Sequence, residues 1–258
     1  MAYTDDWLAL TTEETLEPDL KICDPHHHLW DAGFDTSAKF RSEQVEGRYL
    51  FDEFLAEINS GHNVTSTVFI ECMSMYKADG PTHLRPVGET EFVNGIAAMS
   101  ASGRYGPCRI AAGIVGLADM NLGSGAQEVL EAHISAGAGR FRGIRHAASW
   151  NASDEIRNSH TKPTQHMLAD AKFREGIAQL APLNLSFEAW CYHPQIPDVT
   201  DLAQAFPNTT IILNHFGGPL GIGPYAGKQA EIFSQWRLDI SELARCQNVV
   251  AKLGGINM

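Results

Sequence analysis

Asp24-Pro25-His26-His27-His28-Leu29-Trp30-Asp31 follows the β-prone run Leu20-Lys21-Ile22-Cys23. Side chains alternate faces along a strand, so Ile22, Asp24, His26 and His28 share one face and His27 points to the other. Two imidazoles two residues apart at a strand end can reach one point in space. Neutral imidazole is both a ligand for divalent metals and an acid or base near neutral pH. A solvated loop or a purification tag is the plainer reading of adjacent histidines. Position 26, inside an apolar context, argues against a tag.

Outward from this strand, spanning 20–25, β-rich runs recur at 64–73, 109–117, 141–147, 185–192, 210–216 and 248–253. Helical spacing of apolar residues fills the intervals, at 51–59, 90–102, 127–135, 164–180, 197–206 and 230–246, with Pro163 as a helix starter and a weak helix or arm at 5–15. The polar stretch 31–50 reads as an active-face loop. Regular strand–helix alternation predicts a parallel sheet. The α/β solution for such a chain is a TIM-type (β/α)8 barrel formed as a single domain over residues 1–258. Seven strands are counted and the sequence stops at Met258, so the barrel is expected to be incomplete at its C-terminal end.

Composition narrows the function. The 258 residues are 44% hydrophobic and 19% charged, a globular balance. Lys and Arg total 19 against 31 Asp and Glu, a formal charge of −12, which disfavours nucleic acid and anionic membrane as partners. No run reaches transmembrane length and 1–20 lacks a leader pattern, so a cytoplasmic enzyme is expected. Cys23, Cys72, Cys108, Cys191 and Cys246 are scattered and form no Cys-x-x-Cys pair, so neither a disulfide framework nor a zinc ribbon is indicated.

Barrel active sites lie at the C-terminal ends of the strands. There the sequence places His26 and His28, Glu71, then Arg142, Arg145 and His146, then Glu188 and His193, Asn214 and His215, and Lys252. Alternation with His215 puts Ile211 and Leu213 in the barrel below it. Arg145, nearer the strand end than Arg142, is the candidate for holding a substrate carboxylate by its forked N–H groups. A structural ion pair is the competing use of that arginine. Glu71 and Glu188 are candidate bases, metal ligands or orienters of histidine, with paired barrel carboxylates as the alternative. His146, His193 and Asn214 are candidate substrate contacts. No Gly-x-Ser-x-Gly elbow, Walker loop or Gly-x-Gly-x-x-Gly follows any strand where it would be needed.

Together with the His-x-His strand, the motifs Phe141-Arg142-Gly143-Ile144-Arg145-His146, His193-Pro194-Gln195, Asn214-His215-Phe216-Gly217-Gly218-Pro219 and Ala251-Lys252-Leu253-Gly254-Gly255 resemble, in order, the amidohydrolase superfamily. The resemblance is to its lactonase-like branch, which includes 2-pyrone-4,6-dicarboxylate lactonase and L-fuconolactonase. It implies hydrolysis of a small cyclic ester, a lactone carrying a carboxylate. His26, His28 and His215 would surround the carbonyl, either through one divalent metal ion, zinc foremost, or by direct hydrogen bonds without metal. It also implies an aspartate from an eighth strand as base, which this sequence does not supply; Glu71 or Glu188 would have to substitute. A non-catalytic binding relative, a gene fragment, or a decarboxylase of the same superfamily are the alternative readings. A seven-strand barrel would expose strand edges at Val249, Val250 and Leu253, so a homo-oligomer or a poorly soluble monomer is expected.

Overall fold

The computed structural model describes residue 10 and residues 13–31 and 47–254. Seven parallel strands lie side by side in chain order: β1 (Ile22–His27), β2 (Val64–Ile70), β3 (Arg109–Gly116), β4 (Phe141–Arg145), β5 (Ser186–Ala189), β6 (Ile211–Leu213) and β7 (Val249–Ala251). One helix fills each crossover: α1 (Phe51–Ile58), α2 (Val87–Ala101), α3 (Ala126–Ala136), α4 (Ala171–Ile177), α5 (Ile196–Ala205) and α6 (Gln229–Leu243). A two-residue antiparallel ribbon, Trp30–Asp31 with Arg48–Tyr49, follows β1. The arm expected over 5–15 and the loop expected over 31–50 lie for the most part outside the described residues.

The sheet curls into an incomplete (β/α)8 barrel. Lys252 Nζ, just past β7, lies 3.5 Å from His26 Nδ1 on β1. In a flat sheet the six intervening strand spacings would hold them about 29 Å apart. Side chains in register on parallel strands share a face, and two faces can be told apart. Ile144, Phe187, Ile211 and Val249 are in register, and Phe187 meets Phe173 of α4 edge to face at 6.0 Å, so this row faces the helices. The next row, Arg145, Glu188, Ile212 and Val250, faces the barrel interior. The helix-side row, with Phe69, Ile114 and the buried Phe51, Phe54 and Ile58 of α1, makes the core.

Two expectations change. Ile211 and Leu213 do not fill the barrel beneath His215. Ile211 belongs to the helix-facing row, and Leu213, in register with Ala189, lies next to Gly217 and Ile196 of α5. The helix expected over 164–180 begins only at Ala171. Pro163 does not start it; Asp170 does, its carboxylate accepting the N–H groups of Lys172 and Phe173 at 2.8 and 3.1 Å. At the far edge Val250 and Leu253 are exposed, as are Phe233 and Leu238 of α6. Among the described residues no helix is long and apolar enough to cross a membrane.

Candidate active site

β1 delivers His26 and His28 to the interior, as alternation requires, while His27 turns outward and stacks on Phe54 at 4.1 Å. The Nε2 atoms of His26 and His28 are 3.2 Å apart. His28 Nδ1 lies 2.8 Å from the Ile70 carbonyl oxygen at the end of β2. That oxygen can only accept, so His28 carries its proton on Nδ1. Burial is the main force holding both rings neutral: His28 is pushed down to about 3, and His26 is lowered further, with His28, Lys252 and Arg145 adding to the effect.

His215 reaches the same place by a different route. Its ring centroid is 4.7 Å from that of His26, but β6 has already ended at Leu213. His215 and Phe216 both adopt positive φ, 50° and 55°, a left-handed conformation that disfavours residues with a Cβ. Gly217 and Gly218 continue the turn, and Trp236 Nε1 donates to the Phe216 carbonyl at 2.7 Å. The strained turn swings the imidazole inward, and burial lowers its pKa.

Two ion pairs flank His26. On one side Arg145 donates from Nε to Glu71 Oε1 at 2.7 Å and from Nη2 to the Glu71 carbonyl, leaving Nη1 3.4 Å from His26 Nε2. Its guanidinium carbon lies 5.2 Å from the Trp190 ring centroid, within cation–π range. On the other side Lys252 donates to both oxygens of Glu188, at 2.7 and 2.8 Å, and Asn214 Nδ2 donates to Glu188 Oε2 at 2.8 Å. Glu71 and Glu188 are both fully enclosed. Glu188 uses both oxygens; Glu71 Oε2 has no hydrogen-bond partner among the described residues, with His160 Nε2 3.6 Å away.

The expected site residues therefore divide. His26, His28, His215, Arg145 and Glu71 come together, and Asn214 and Glu188 stand behind Lys252. Arg145 does not present a free fork, because Glu71 takes it. His146 is not on the interior face: it follows Arg145 by one residue, packs edge to face on Phe173 at 5.2 Å and accepts the Met120 N–H at Nδ1. His193 starts a short 3-10 helix, accepts the Leu220 N–H at 3.3 Å and meets Tyr225 edge to face. Neither touches the histidine cluster in any contact seen. His160 and Trp190 were not singled out as site residues, and Lys252 was placed at the rim without a role.

The donor set tests a metal. Spacing alone would suit one, since two nitrogens about 2.0–2.1 Å from a tetrahedral zinc lie roughly 3.3 Å apart. The chemistry around them does not. Both nearby carboxylates are held by cations, two cationic side chains lie within 3.5 Å of His26, and no group of three or more His, Cys, Asp or Glu among the described residues is disposed to hold an ion.

Comparison with known proteins agrees with the barrel. The chain is 29% identical over 250 residues to the uncharacterized protein y4mH of Sinorhizobium fredii, covering 93% of this chain and 74% of that protein. An amidohydrolase from Burkholderia multivorans solved with bound zinc superposes with a TM-score of 0.64 at 22% identity, over 91% of this chain and 69% of that one. A probable 2-pyrone-4,6-dicarboxylic acid hydrolase from Acinetobacter baumannii, with citric acid bound, gives a TM-score of 0.56 at 13% identity, over 90% and 70%. At these identities the solved structures establish a shared fold. Membership rests on the sequence family itself: the Amidohydrolase model matches residues 23–258, nearly the whole barrel, and the chain belongs to that family.

Proposed function

We propose that this protein hydrolyses a small cyclic ester, a lactone carrying a carboxylate, by attack of water on the ring carbonyl. The observation that carries the reading is the convergence of His26, His28 and His215 beside Arg145 at the C-terminal rim of the strands. A guanidinium N–H held in a buried site favours the negative charge that develops on a carbonyl oxygen under attack. Arg145 Nη1, the guanidinium nitrogen that faces the histidines, offers an anionic oxygen one N–H donor rather than a fork. The fold shared with a protein named as a probable 2-pyrone-4,6-dicarboxylic acid hydrolase supports the lactone class.

Water attack needs a proton acceptor. Of the two carboxylates expected to serve, Glu71 has an oxygen to spare and Glu188 has none, so the role is given to Glu71. A panel of neutral and carboxylated lactones, followed by acid release with and without chelator or added zinc, tests the proposal. Turnover should fall on the order of 10²-fold or more in Glu71→Gln, and less in Glu188→Gln. A folded protein that binds lactones without opening any of them would make this a binding relative. Release of carbon dioxide from a carboxylated ligand would make it a decarboxylase.

A further inference from the structure

We propose that Lys252 fixes the tautomer of His26 and thereby makes His26 and His28 a hydrogen-bonded couple instead of a metal-chelating one. The assignment is independent of the substrate. It follows from counting donors and acceptors along one string of contacts.

The string begins at the Ile70 carbonyl, which accepts from His28 Nδ1 at 2.8 Å. Neutral His28 is then bare at Nε2, and this atom faces His26 Nε2 at 3.2 Å. At its other nitrogen, Nδ1, His26 faces Lys252 Nζ at 3.5 Å. An ammonium group has three donors and no lone pair. Two of its hydrogens go to Glu188, and the third is directed by default toward His26. A proton on His26 Nδ1 would meet the ammonium hydrogen to hydrogen, and would also leave two bare Nε2 atoms pointing at each other. A proton on His26 Nε2 removes both conflicts. Lys252 then donates to His26, His26 to His28, and His28 to Ile70.

Among the described residues that contact His26 Nε2, Arg145 competes. Its Nη1, 3.4 Å from His26 Nε2, would favour a bare nitrogen there. That preference gains one long contact against two repulsive ones, and Arg145 keeps its bonds to Glu71 whichever tautomer forms. Lys252 is also well anchored. Its backbone N–H donates to the Leu213 carbonyl at 2.9 Å, and Glu188 is steadied by Asn214. With His26 protonated at Nε2, the two facing Nε2 atoms offer one lone pair between them, on His28, where chelation needs two; the bare Nδ1 of His26 faces Lys252 instead. Lys252 is thus a positioning residue, acting through His26.

The test is ¹⁵N imidazole NMR on the native protein, with His26 assigned by difference against His26→Gln. His26 should show a protonated Nε2 and a bare Nδ1. Zinc binding by equilibrium dialysis gives a second readout. Lys252→Met alone would strand the Glu188 carboxylate, so the variant used is Lys252→Met with Glu188→Gln, which removes the pair together. It should bind zinc at least about tenfold more tightly than the native protein, with His26 Nδ1 protonated in the zinc complex. A protonated Nδ1 in the native protein overturns the proposal. So does a folded double variant that binds zinc within about threefold of native. The NMR readout on the native protein decides even if the double variant does not fold.

Discussion

The Arg145–Glu71 pair and the Lys252–Glu188 pair sit on opposite sides of one imidazole. Each joins a cation and a carboxylate at 2.7 Å, and each is almost wholly buried. They differ in what is left over. Glu188 spends both oxygens, and Lys252 turns its spare hydrogen to His26 Nδ1. Glu71 keeps an oxygen open, and Arg145 turns Nη1 to His26 Nε2. One pair is closed and, as proposed above, sets the state of the histidine; the other keeps a buried carboxylate oxygen without a partner among the described residues. Buried ion pairs therefore say little by their presence alone. The unspent donors and acceptors at their ends decide what they do.

The largest effect that bears on this contrast is acid sensitivity. Burial lowers His28 to about 3 and both His133 and His146 to about 4, with His26 lower still, against 6.5 for a free imidazole. Between about pH 4 and 6.5 the unfolded chain binds protons that the native protein refuses, so stability rises with pH, by up to about 1.4 kcal/mol per unit for each such ring. Glu89 runs the other way. Its buried carboxyl, beside Glu71, is pushed up to about 8, while its Oε1 accepts the N–H groups of Cys72 and Ser74. The native state keeps that proton when the unfolded chain has lost it, so stability falls as pH rises from 4.5 toward 8. Denaturant melts across pH should climb steeply to about 6.5, then decline gently to about 8. Glu89→Gln should abolish the decline. A curve that stays flat below pH 6 would mean the rings by the two pairs are not held neutral.

Next in size is the cost of breaking each pair. Arg145→Met strands Glu71 with no exposure and should cost about 3–5 kcal/mol in chemical denaturation. Arg145→Lys should recover only part, because a point charge cannot repeat the two-nitrogen grip on Glu71. Lys252→Met should cost less, about 2 kcal/mol, since Asn214 still donates to Glu188. Equal costs would erase the distinction between an open and a closed pair.

Much of this was readable from residues in order, and the exceptions have physical reasons. Alternation placed His26 and His28 inward and His27 outward, and that order holds although the pairing of β1 with β2 shifts register between Asp24 and His27 and His28 lies just past the strand. It failed at His215, where two consecutive left-handed residues follow the end of β6 and reset the direction of the side chain. The Gly217-Gly218 pair hinted at a turn without saying where it began. A structural ion pair was the competing reading of Arg145, but its partner could not be named, because Glu71 lies 74 residues earlier, just past the end of β2. The role of Lys252 was hidden more deeply: it touches His26 across 226 residues and only because the sheet curls. Asp170 was a missed local signal, since an aspartate three residues ahead of a phenylalanine on the core face is an ordinary helix cap.

His146 gives the smallest and most selective test. It adjoins Arg145, and a sequence reading puts both at the same rim, yet one residue along a strand is enough to change the face. Its Nδ1 accepts the Met120 N–H at 3.1 Å, with the Asp119 carboxylate 3.7 Å away, and its ring packs on Phe173, so its direct contacts lie on the helix side of β4. His146→Asn keeps an acceptor near the Nδ1 position and should cost no more than about 1 kcal/mol. It also removes one ring that resists protonation, so the acid limb of the stability curve should become slightly shallower. Lactone turnover, if the proposed function holds, should stay within about twofold of native, because no transition-state contact is removed. A loss of turnover beyond tenfold, with melting unchanged, would put His146 in the pocket beside Arg145. The two faces of β4 would then have to be assigned again.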